Sequence, residues 1–250
     1  MANTESNTYT IGFATAMVLV VGGLLAFIAS SLRETIKNNE RFEKQQNILY
    51  AMGVSDNEGP NDVAFITTDK VESAFDTYIT NQYVIEGIGG TQVTEDDEAF
   101  LIDLKKEETL AKDPAYKRRL PLFKGKKDGK DLYVIPVRGK GLWDAIWGFV
   151  AVDKAMTIQG VFFDHKGETP GLGAEIKQRY FMDDFAGESF LTGGSFGGIK
   201  VAKGNNDPKN TDKSDKEVDA LAGATITGNG VSAMLQKDIK MYVSYFNTLK

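Results

Sequence analysis

The sequence predicts an α+β protein, with a single N-terminal transmembrane helix followed by a mixed α/β domain. Three observations carry this prediction. An uncharged apolar segment lies near the N-terminus, strand-like apolar runs recur in the second half, and the last segment has the periodicity of an amphipathic helix. A chain of 250 residues is long enough for one domain of ordinary size and an accessory segment.

The composition excludes several classes of function. Lys and Arg number 29 and Asp and Glu 35, and the resulting net charge of −6 argues against nucleic acid as a partner. The chain contains no cysteine, which excludes disulfides, thiolate catalysis and cysteine-ligated zinc or iron–sulfur sites. His165 is the single histidine, so a site that needs two imidazoles is excluded as well. We therefore predict no metal site.

The first element is the apolar segment. Residues 6–32 carry no charged side chain, and Ile11–Leu32 reads IGFATAMVLVVGGLLAFIASSL. As a helix this stretch would be about 33 Å long, enough to cross the hydrocarbon layer of a bilayer. Residues 1–32 are thus expected to form a short tail and an uncleaved membrane anchor. The alternatives are a buried core helix and a cleaved signal peptide, although the segment is long for a signal peptide and no basic residue precedes it.

Residues 33–130 are expected to form a juxtamembrane helix and a charged accessory region. The pattern favours a helix over residues 33–51, another from Lys70 to Thr80, and a strand from Gln82 to Ile88. Residues 95–130 combine acidic and basic clusters with little periodicity. We expect solvated loops and hairpin turns there, such as one at Lys127–Lys130, with a docking face for a partner as the alternative.

Residues 131–250 are expected to form the cofactor-binding core. Strands are predicted at residues 132–137, in the apolar stretch that ends at Val152, and from Ile158 to Phe163. A last helix is predicted from about Asn229 to Thr248. Its apolar residues form one stripe suited to packing on a core: Val231, Met234, Leu235, Ile239, Tyr242, Val243 and Phe246.

One motif suggests a serine hydrolase. Residues 193–197, GGSFG, match the G-x-S-x-G nucleophile elbow, which requires a preceding strand, a following helix and a histidine later in the chain. The single histidine, His165, precedes the motif. We therefore expect a glycine-rich turn at this position.

Two other segments suit a cofactor that carries a phosphate. Residues 168–173 read ETPGLG, in which Pro170 fixes the backbone and two glycines let a flat group approach. Residues 219–227 read DALAGATIT and lead into the last helix, whose first N–H groups favour an anion. An ordinary turn at the first segment and a helix cap supplied by Thr227 are the alternatives that remain open.

Together with the N-terminal segment, these motifs resemble the family of covalently flavinylated FMN-binding subunits. The family includes the C subunit of the sodium-translocating NADH:quinone reductase and the G subunit of the Rnf electron-transfer complex. The resemblance covers the apolar segment and most of residues 132–235, including Trp143–Val152, ETPGLG and the signature D-x-x-[ST]-G-A-T-x-[ST] at 219–227. Ala222 departs from this signature. The length and the charged insertion around residues 90–130 favour the quinone-reductase member of the family.

The resemblance implies that Thr227 carries FMN through a phosphoester, which a flavin transferase makes with FAD as the donor. Because the sequence places no catalytic base beside Thr227, we expect a separate enzyme to modify it. The resemblance assigns recognition by the transferase to Asp219, Gly223, Ala224 and Thr225. It assigns FMN binding to Glu168, Thr169, Gly171 and Leu172, with Trp143 as their neighbour.

The resemblance also implies a six-subunit membrane reductase, in which this chain relays single electrons between neighbouring subunits and does not itself oxidise NADH. The anchor would lie in the bacterial inner membrane and the large domain in the periplasm. The positive-inside rule predicts the opposite orientation, because four basic residues follow the apolar segment: Arg33, Lys37, Arg41 and Lys44. Interleaved glutamates dilute this bias, so we follow the resemblance. A cofactor-free, membrane-anchored assembly protein is the alternative from another class.

Overall fold

The described part of the N-terminal unit, which extends to Phe42, is helical from Asn7 onward. The computed structural model describes residues 6–59, 61–204, 207 and 210–249. Helix α1 (Asn7–Ser31) is capped by Ser6, whose hydroxyl accepts a hydrogen bond from the N–H of Tyr9 at 3.2 Å. Of the helices in the described ranges, α1 alone is long and apolar enough to cross a membrane, with a mean hydropathy of 2.4. None of its residues is buried, so it is not a core helix.

Helix α2 (Arg33–Ala51) confirms the helix predicted for residues 33–51. Its last residues, from Gln45 onward, are mostly buried in the second unit, which begins at Glu43. Ile48, Leu49 and Ala51 are fully buried there. The end of α2 therefore contributes to the core of the globular unit.

The second unit is built around a six-stranded antiparallel sheet with the strand order β2–β1–β3–β4–β5–β6. The strands are β1 (Ile79–Glu86), β2 (Val93–Glu95), β3 (Arg119–Lys127), β4 (Lys130–Lys140), β5 (Ala145–Val152) and β6 (Ile158–His165). The strands predicted in β1, β4, β5 and β6 are confirmed, with ends that differ by a few residues. Their long apolar runs explain why the sequence was sufficient to predict them.

Strand β3 lies where solvated loops were expected, and for these residues that prediction is wrong. β3 pairs with both β1 and β4, and Leu120, Leu122 and Phe123 are buried. The short apolar run in residues 120–123 is flanked by basic residues, which hid it in the composition of the region. The hairpin turn at Lys127–Lys130 is confirmed by its position between the two strands. β3 ends before residue 130 and β4 begins there, and the two strands are neighbours in one sheet. The expected boundary between residues 130 and 131 therefore falls inside a continuous sheet and does not separate two structural units.

The remaining elements are short. The helices are α3 (Val71–Tyr78), α4 (Leu104–Leu110) and α5 (Arg179–Asp183), with 3-10 turns at Ala99–Leu101 and Gly173–Lys177. The strand pairs are β7 (Leu191–Thr192) with β8 (Ser195–Phe196), and β9 (Lys200–Val201) with β10 (Glu217–Val218). The GGSFG motif closes the β7–β8 hairpin, as expected for a turn. It is not followed by the helix that an elbow requires, since the next element is β9.

The last helical region is divided into α6 (Thr225–Lys240) and α7 (Val243–Asn247), and α6 begins four residues before the predicted start. Two glycines hid this start, because glycine is a poor helix former. One of them, Gly230, lies so close to β4 that a Cβ atom would overlap the carbonyl oxygen of Lys140. The predicted apolar stripe is buried, apart from Val243, which is half-buried. Thr227 thus belongs to the first turn of α6 and does not cap it.

Candidate functional site

The site centres on a contact between Thr227 and Glu168. Thr227 is only 1% exposed, and its Oγ1 donates a hydrogen bond to Oε2 of Glu168 at 2.6 Å. The two residues are 59 positions apart in the chain, on α6 and on the turn after β6. The expectation that no acid–base group lies beside Thr227 is therefore wrong. Only the fold brings these two residues together.

The Glu168 carboxylate is held in place from several sides. Its Oε1 accepts a hydrogen bond from the N–H of Trp143 at 2.9 Å, and the N–H of Glu168 donates to Nδ1 of His165 at 3.1 Å. Glycines leave the space that the carboxylate fills. A Cβ atom on Gly141 would lie 2.6 Å from Oε1, and one on Gly173 would lie 2.5 Å from Oγ1 of Thr227. Any larger residue at either position would displace the carboxylate or the hydroxyl.

The hydrogen bonds around Glu168 outweigh its burial. Burial alone raises the pKa of this carboxyl, but the hydroxyl of Thr227 and the N–H groups of Trp143, Asp144 and Leu142 lower it, and the net pKa lies below its usual value. Glu168 is 5% exposed. The site therefore contains a charged, buried carboxylate in direct contact with a threonine hydroxyl.

The first turn of α6 provides donors for an anion. Its N-cap residue is Ala224, whose side chain accepts no hydrogen bond, and the first N–H groups of a helix have no partners within the helix. The helix dipole adds a partial positive charge at this end. Thr225 and Ile226 are exposed, whereas Thr227 is buried. A phosphate joined to Thr227 would thus lie at the end of the helix that favours negative charge.

Exposed apolar side chains adjoin the Thr227–Glu168 contact. Trp143 is 66% exposed, and its Nε1 donates to Oγ1 of Thr169 at 3.2 Å. Leu172 is 41% exposed and packs so close to Gly223 that a Cβ atom there would lie 2.7 Å from its Cδ2. Leu142 and Ile226 are also exposed beside these residues in the chain. The group, here called the apolar rim, consists of Leu142, Trp143, Leu172 and Ile226.

The apolar rim offers a surface for a flat ring, and sequence reasoning missed two of its members. Leu142 lies in a turn and Ile226 in the first turn of a helix, where polar residues are usual. Their apolar side chains were the feature of the sequence from which a binding surface could have been predicted. The predicted residues Trp143, Glu168, Thr169, Leu172, Gly223 and Thr227 are linked by the contacts described above.

Two of the other predicted residues occupy different surroundings. Gly171 lies at the exposed tip of the turn with a φ of 76°, and its N–H donates to Oε1 of Glu175 at 3.0 Å. Asp219 follows β10, where burial and the charge of Asp207 raise the pKa of its carboxyl. Its electrostatic neighbours are Asp207 and Asp184, whose own pKa is raised to about 6 by burial and by Asp219. Asp219 therefore belongs to an acidic group outside the Thr227–Glu168 contact.

A family of known proteins matches the part of the chain that contains this site. Residues 141–240 match the FMN-binding domain family, a range that includes the whole apolar rim, Glu168 and Thr227. The chain is 32% identical to the C subunit of Na(+)-translocating NADH-quinone reductase from Pseudomonas aeruginosa, over 94% of this chain and 92% of that protein. It is 30% identical to the C subunit of the same reductase from Neisseria meningitidis serogroup B, over 98% and 95% of the two chains.

Two solved structures are similar as well. The crystal structure of the C subunit of Na(+)-translocating NADH-quinone reductase from Parabacteroides distasonis has a TM-score of 0.71 and 31% identity, and the match covers 86% of this chain and 96% of that one. The crystal structure of NqrC from Shewanella oneidensis has a TM-score of 0.63 and 26% identity, with 84% and 98% covered.

Proposed function

Because the chain belongs to the family of the C subunit of Na(+)-translocating NADH-quinone reductase, we propose that it is the electron-relay subunit of such a complex and carries FMN on Thr227. The observation that carries the attachment is the Thr227 hydroxyl itself. It lies in the uncapped first turn of α6, inside an FMN-binding domain, with the apolar rim around it. The quinone-reductase relatives match nearly the whole chain, which favours this function over that of the G subunit of the Rnf complex.

Each part of the site has a role in this proposal. When bound, FMN supplies the redox chemistry, accepting and passing on electrons. Thr227 holds it covalently, and the N–H groups at the start of α6 stabilise the negative charge of the phosphate. Trp143, Leu172 and Ile226 offer apolar surface to the flavin ring, and Thr169 fixes the indole of Trp143. Because the rim is exposed, a flavin held there would be within reach of neighbouring subunits.

Partners follow from the same proposal. The other subunits of a six-subunit membrane reductase would deliver and remove electrons, and this chain would not oxidise NADH itself. A flavin transferase would attach FMN from FAD, reading Asp219 and the residues Gly223, Ala224 and Thr225. The exposure of Gly223 and Thr225 supports this, since a transferase can reach them. A cofactor-free assembly protein has less support, because the matched family binds FMN.

The proposed location is the bacterial inner membrane, with α1 crossing it once and the large domain in the periplasm. The length and hydropathy of α1 support the span. Protease added to intact spheroplasts should then digest the domain that follows α2. Digestion only after lysis would mean that the basic residues after α1 set the orientation and that the domain is cytoplasmic.

Attachment is tested by replacing the hydroxyl. Full-length protein co-expressed with a flavin transferase should fluoresce in a denaturing gel, and Thr227→Ala should abolish this fluorescence. Thr227→Ser is the matched control, because it keeps a hydroxyl and should remain labelled. The mass of the peptide spanning residues 219–235 identifies the modified residue. A flavin on the Thr227→Ala protein would end the assignment and favour the assembly-protein alternative.

A further inference from the structure

We propose that Glu168 is the proton acceptor for flavin attachment, so that this chain supplies part of the catalytic apparatus for its own modification. The inference rests on the proposed function, since it requires Thr227 to be the attachment residue. It adds a role that the FMN-binding fold does not by itself imply. The transferase would bring the flavin donor, and the acceptor protein would bring the base.

The geometry of the contact meets the requirements for a base. A threonine hydroxyl is a weak nucleophile until a neighbouring group removes its proton, and a base must lie within hydrogen-bond distance of that proton. Oγ1 of Thr227 donates to Oε2 of Glu168 at 2.6 Å. The N–H of Trp143 binds the other oxygen, Oε1, at 2.9 Å. This arrangement fixes the carboxylate and leaves Oε2 directed at the hydroxyl.

The charge of Glu168 is also suitable. Its hydrogen bonds keep the pKa of the carboxyl below the usual value although the side chain is buried. Glu168 is therefore held in the ionised form, which is the form that a proton acceptor requires. A carboxylate whose only purpose was to fill space could be replaced by a neutral amide that makes similar hydrogen bonds.

The transfer step balances in atoms and charge. Oγ1 of Thr227 bonds to the phosphorus on the FMN side of the FAD pyrophosphate, and the bond from that phosphorus to the bridging oxygen breaks. AMP leaves with the bridging oxygen. The proton of the Thr227 hydroxyl passes to Oε2 of Glu168. The carboxyl of Glu168 is neutral while AMP leaves, and it then releases the proton to solvent.

The step needs access to a hydroxyl that is 1% exposed. The turn above it has an exposed tip, Thr169–Leu172, between the buried residues Glu168 and Gly173. Leu172, at the end of this tip, lies against Gly223 of the signature. The proposed step requires this tip to move aside, while Glu168 stays anchored through its carboxylate to the N–H of Trp143 and through its own N–H to His165.

Other titratable groups near Glu168 have different partners. His165 accepts the hydrogen bond from the N–H of Glu168 through Nδ1. Asp144 pairs with Lys166 at 3.0 Å, on the turn that also supplies N–H groups to Glu168. Glu175, in the 3-10 turn after the tip, accepts from the N–H of Gly171. Glu175 is therefore a matched control: a carboxylate near the same turn whose hydrogen bonds do not include Thr227.

The test measures the rate of flavin attachment. The full-length chain in detergent is mixed with an excess of flavin transferase and FAD, and covalent flavin is followed by in-gel fluorescence between pH 5.5 and 9. We expect Glu168→Gln to be labelled about 100-fold more slowly than the native chain at pH 7. Its rate should climb with pH, because hydroxide can replace the missing base. Glu175→Gln should be labelled at the native rate at every pH. Any pH dependence that it shares with the native chain is then due to titration of the transferase.

The outcomes separate this inference from the proposed function. Glu168→Gln labelled at the native rate, or slowed by the same factor at every pH, overturns the proton-acceptor role and leaves attachment at Thr227 intact. Label on Thr227→Ala overturns the proposed function itself. If thermal melting shows that Glu168→Gln does not fold, Glu168→Asp and Glu168→Ala are compared. Glu168→Asp should be labelled faster than Glu168→Ala and should have the pH profile of the native chain. Equal labelling rates for these two variants would overturn the proton-acceptor role of Glu168.

Discussion

Two buried carboxylates near opposite ends of α6 differ in their electrostatics. Glu168 faces the first turn through Thr227, and Asp238 lies in the last turn. Glu168 is 5% exposed and Asp238 is 2% exposed. Hydrogen bonds lower the pKa of Glu168 despite its burial, whereas burial raises the pKa of Asp238 more than its partners lower it. Similar burial therefore produces opposite shifts, and the number of donors decides the sign.

The donors of Asp238 are too few to offset its burial. Its Oδ2 accepts a hydrogen bond from the N–H of Arg138 at 2.7 Å, which ties α6 to β4. Its Oδ1 lies 3.4 Å from Nζ of Lys237 but accepts no hydrogen bond. Glu168 has donors on both oxygens. At the first turn of α6, the donors around Glu168 stabilise its negative charge. At the last turn, the contact of Asp238 with Arg138 fixes the position of the helix on β4.

The largest effect is expected from the apolar stripe that joins the two ends. Leu235 is fully buried, so Leu235→Ala should lower the free energy of unfolding by about 2–5 kcal/mol. Both carboxylates depend on the same helix, so covalent flavin should also decrease. Urea unfolding measures the first effect and in-gel fluorescence the second. Gln236→Ala, on the exposed side of α6, is the control and should change stability by less than about 0.5 kcal/mol. Normal stability in Leu235→Ala would mean that the stripe does not support α6.

A smaller effect is expected at Glu168. Glu168→Gln removes charge-assisted hydrogen bonds and should cost about 1–3 kcal/mol at pH 7. Because the folded-state pKa is lowered, this stability is present above the unfolded pKa, about 4.3, and is lost as the pH falls through the lower folded value. The difference between the native chain and the variant in urea unfolding should therefore shrink below about pH 4. A difference that does not depend on pH would mean that the ionised form is not favoured by folding.

Asp238 should behave in the opposite way. Its raised pKa means that folding disfavours the ionised form, so stability is greatest below the unfolded pKa, about 3.9, and is lost as the pH rises through the folded value. Asp238→Asn should therefore stabilise the chain by about 1 kcal/mol at pH 8, with a gain that shrinks towards pH 4. Asp76→Asn, at an exposed position of α3, is the control and should show no such gain. Destabilisation at pH 8 would show that the pairing with Lys237 outweighs the cost of burial.

The sequence was sufficient for the elements with strong periodicity and for the motif residues, but not for the contact that defines the site. Apolar runs predicted β4, β5 and β6, and a stripe predicted the buried side of α6. The start of α6 was misplaced because Gly228 and Gly230, which pack against Val201 and Lys140, look like loop residues. The pairing of Glu168 with Thr227 depends on how β6 and α6 meet, across 59 residues of chain. Local patterns contain no information on such a distant contact.

The smallest effect is expected at Thr225, which separates the two threonines of the signature. Thr225 is exposed and Thr227 is buried, although both lie in the first turn of α6. Thr225→Ala should change stability by less than about 0.5 kcal/mol, because an exposed substitution removes little packing. Covalent flavin should decrease but persist, since the transferase loses one recognised side chain and the attachment hydroxyl remains. Peptide mass spectrometry of residues 219–235 should place all of this flavin on Thr227. Flavin on Thr225 in the native chain would contradict the assignment, because of these two threonines it is Thr227 whose hydroxyl donates to Glu168.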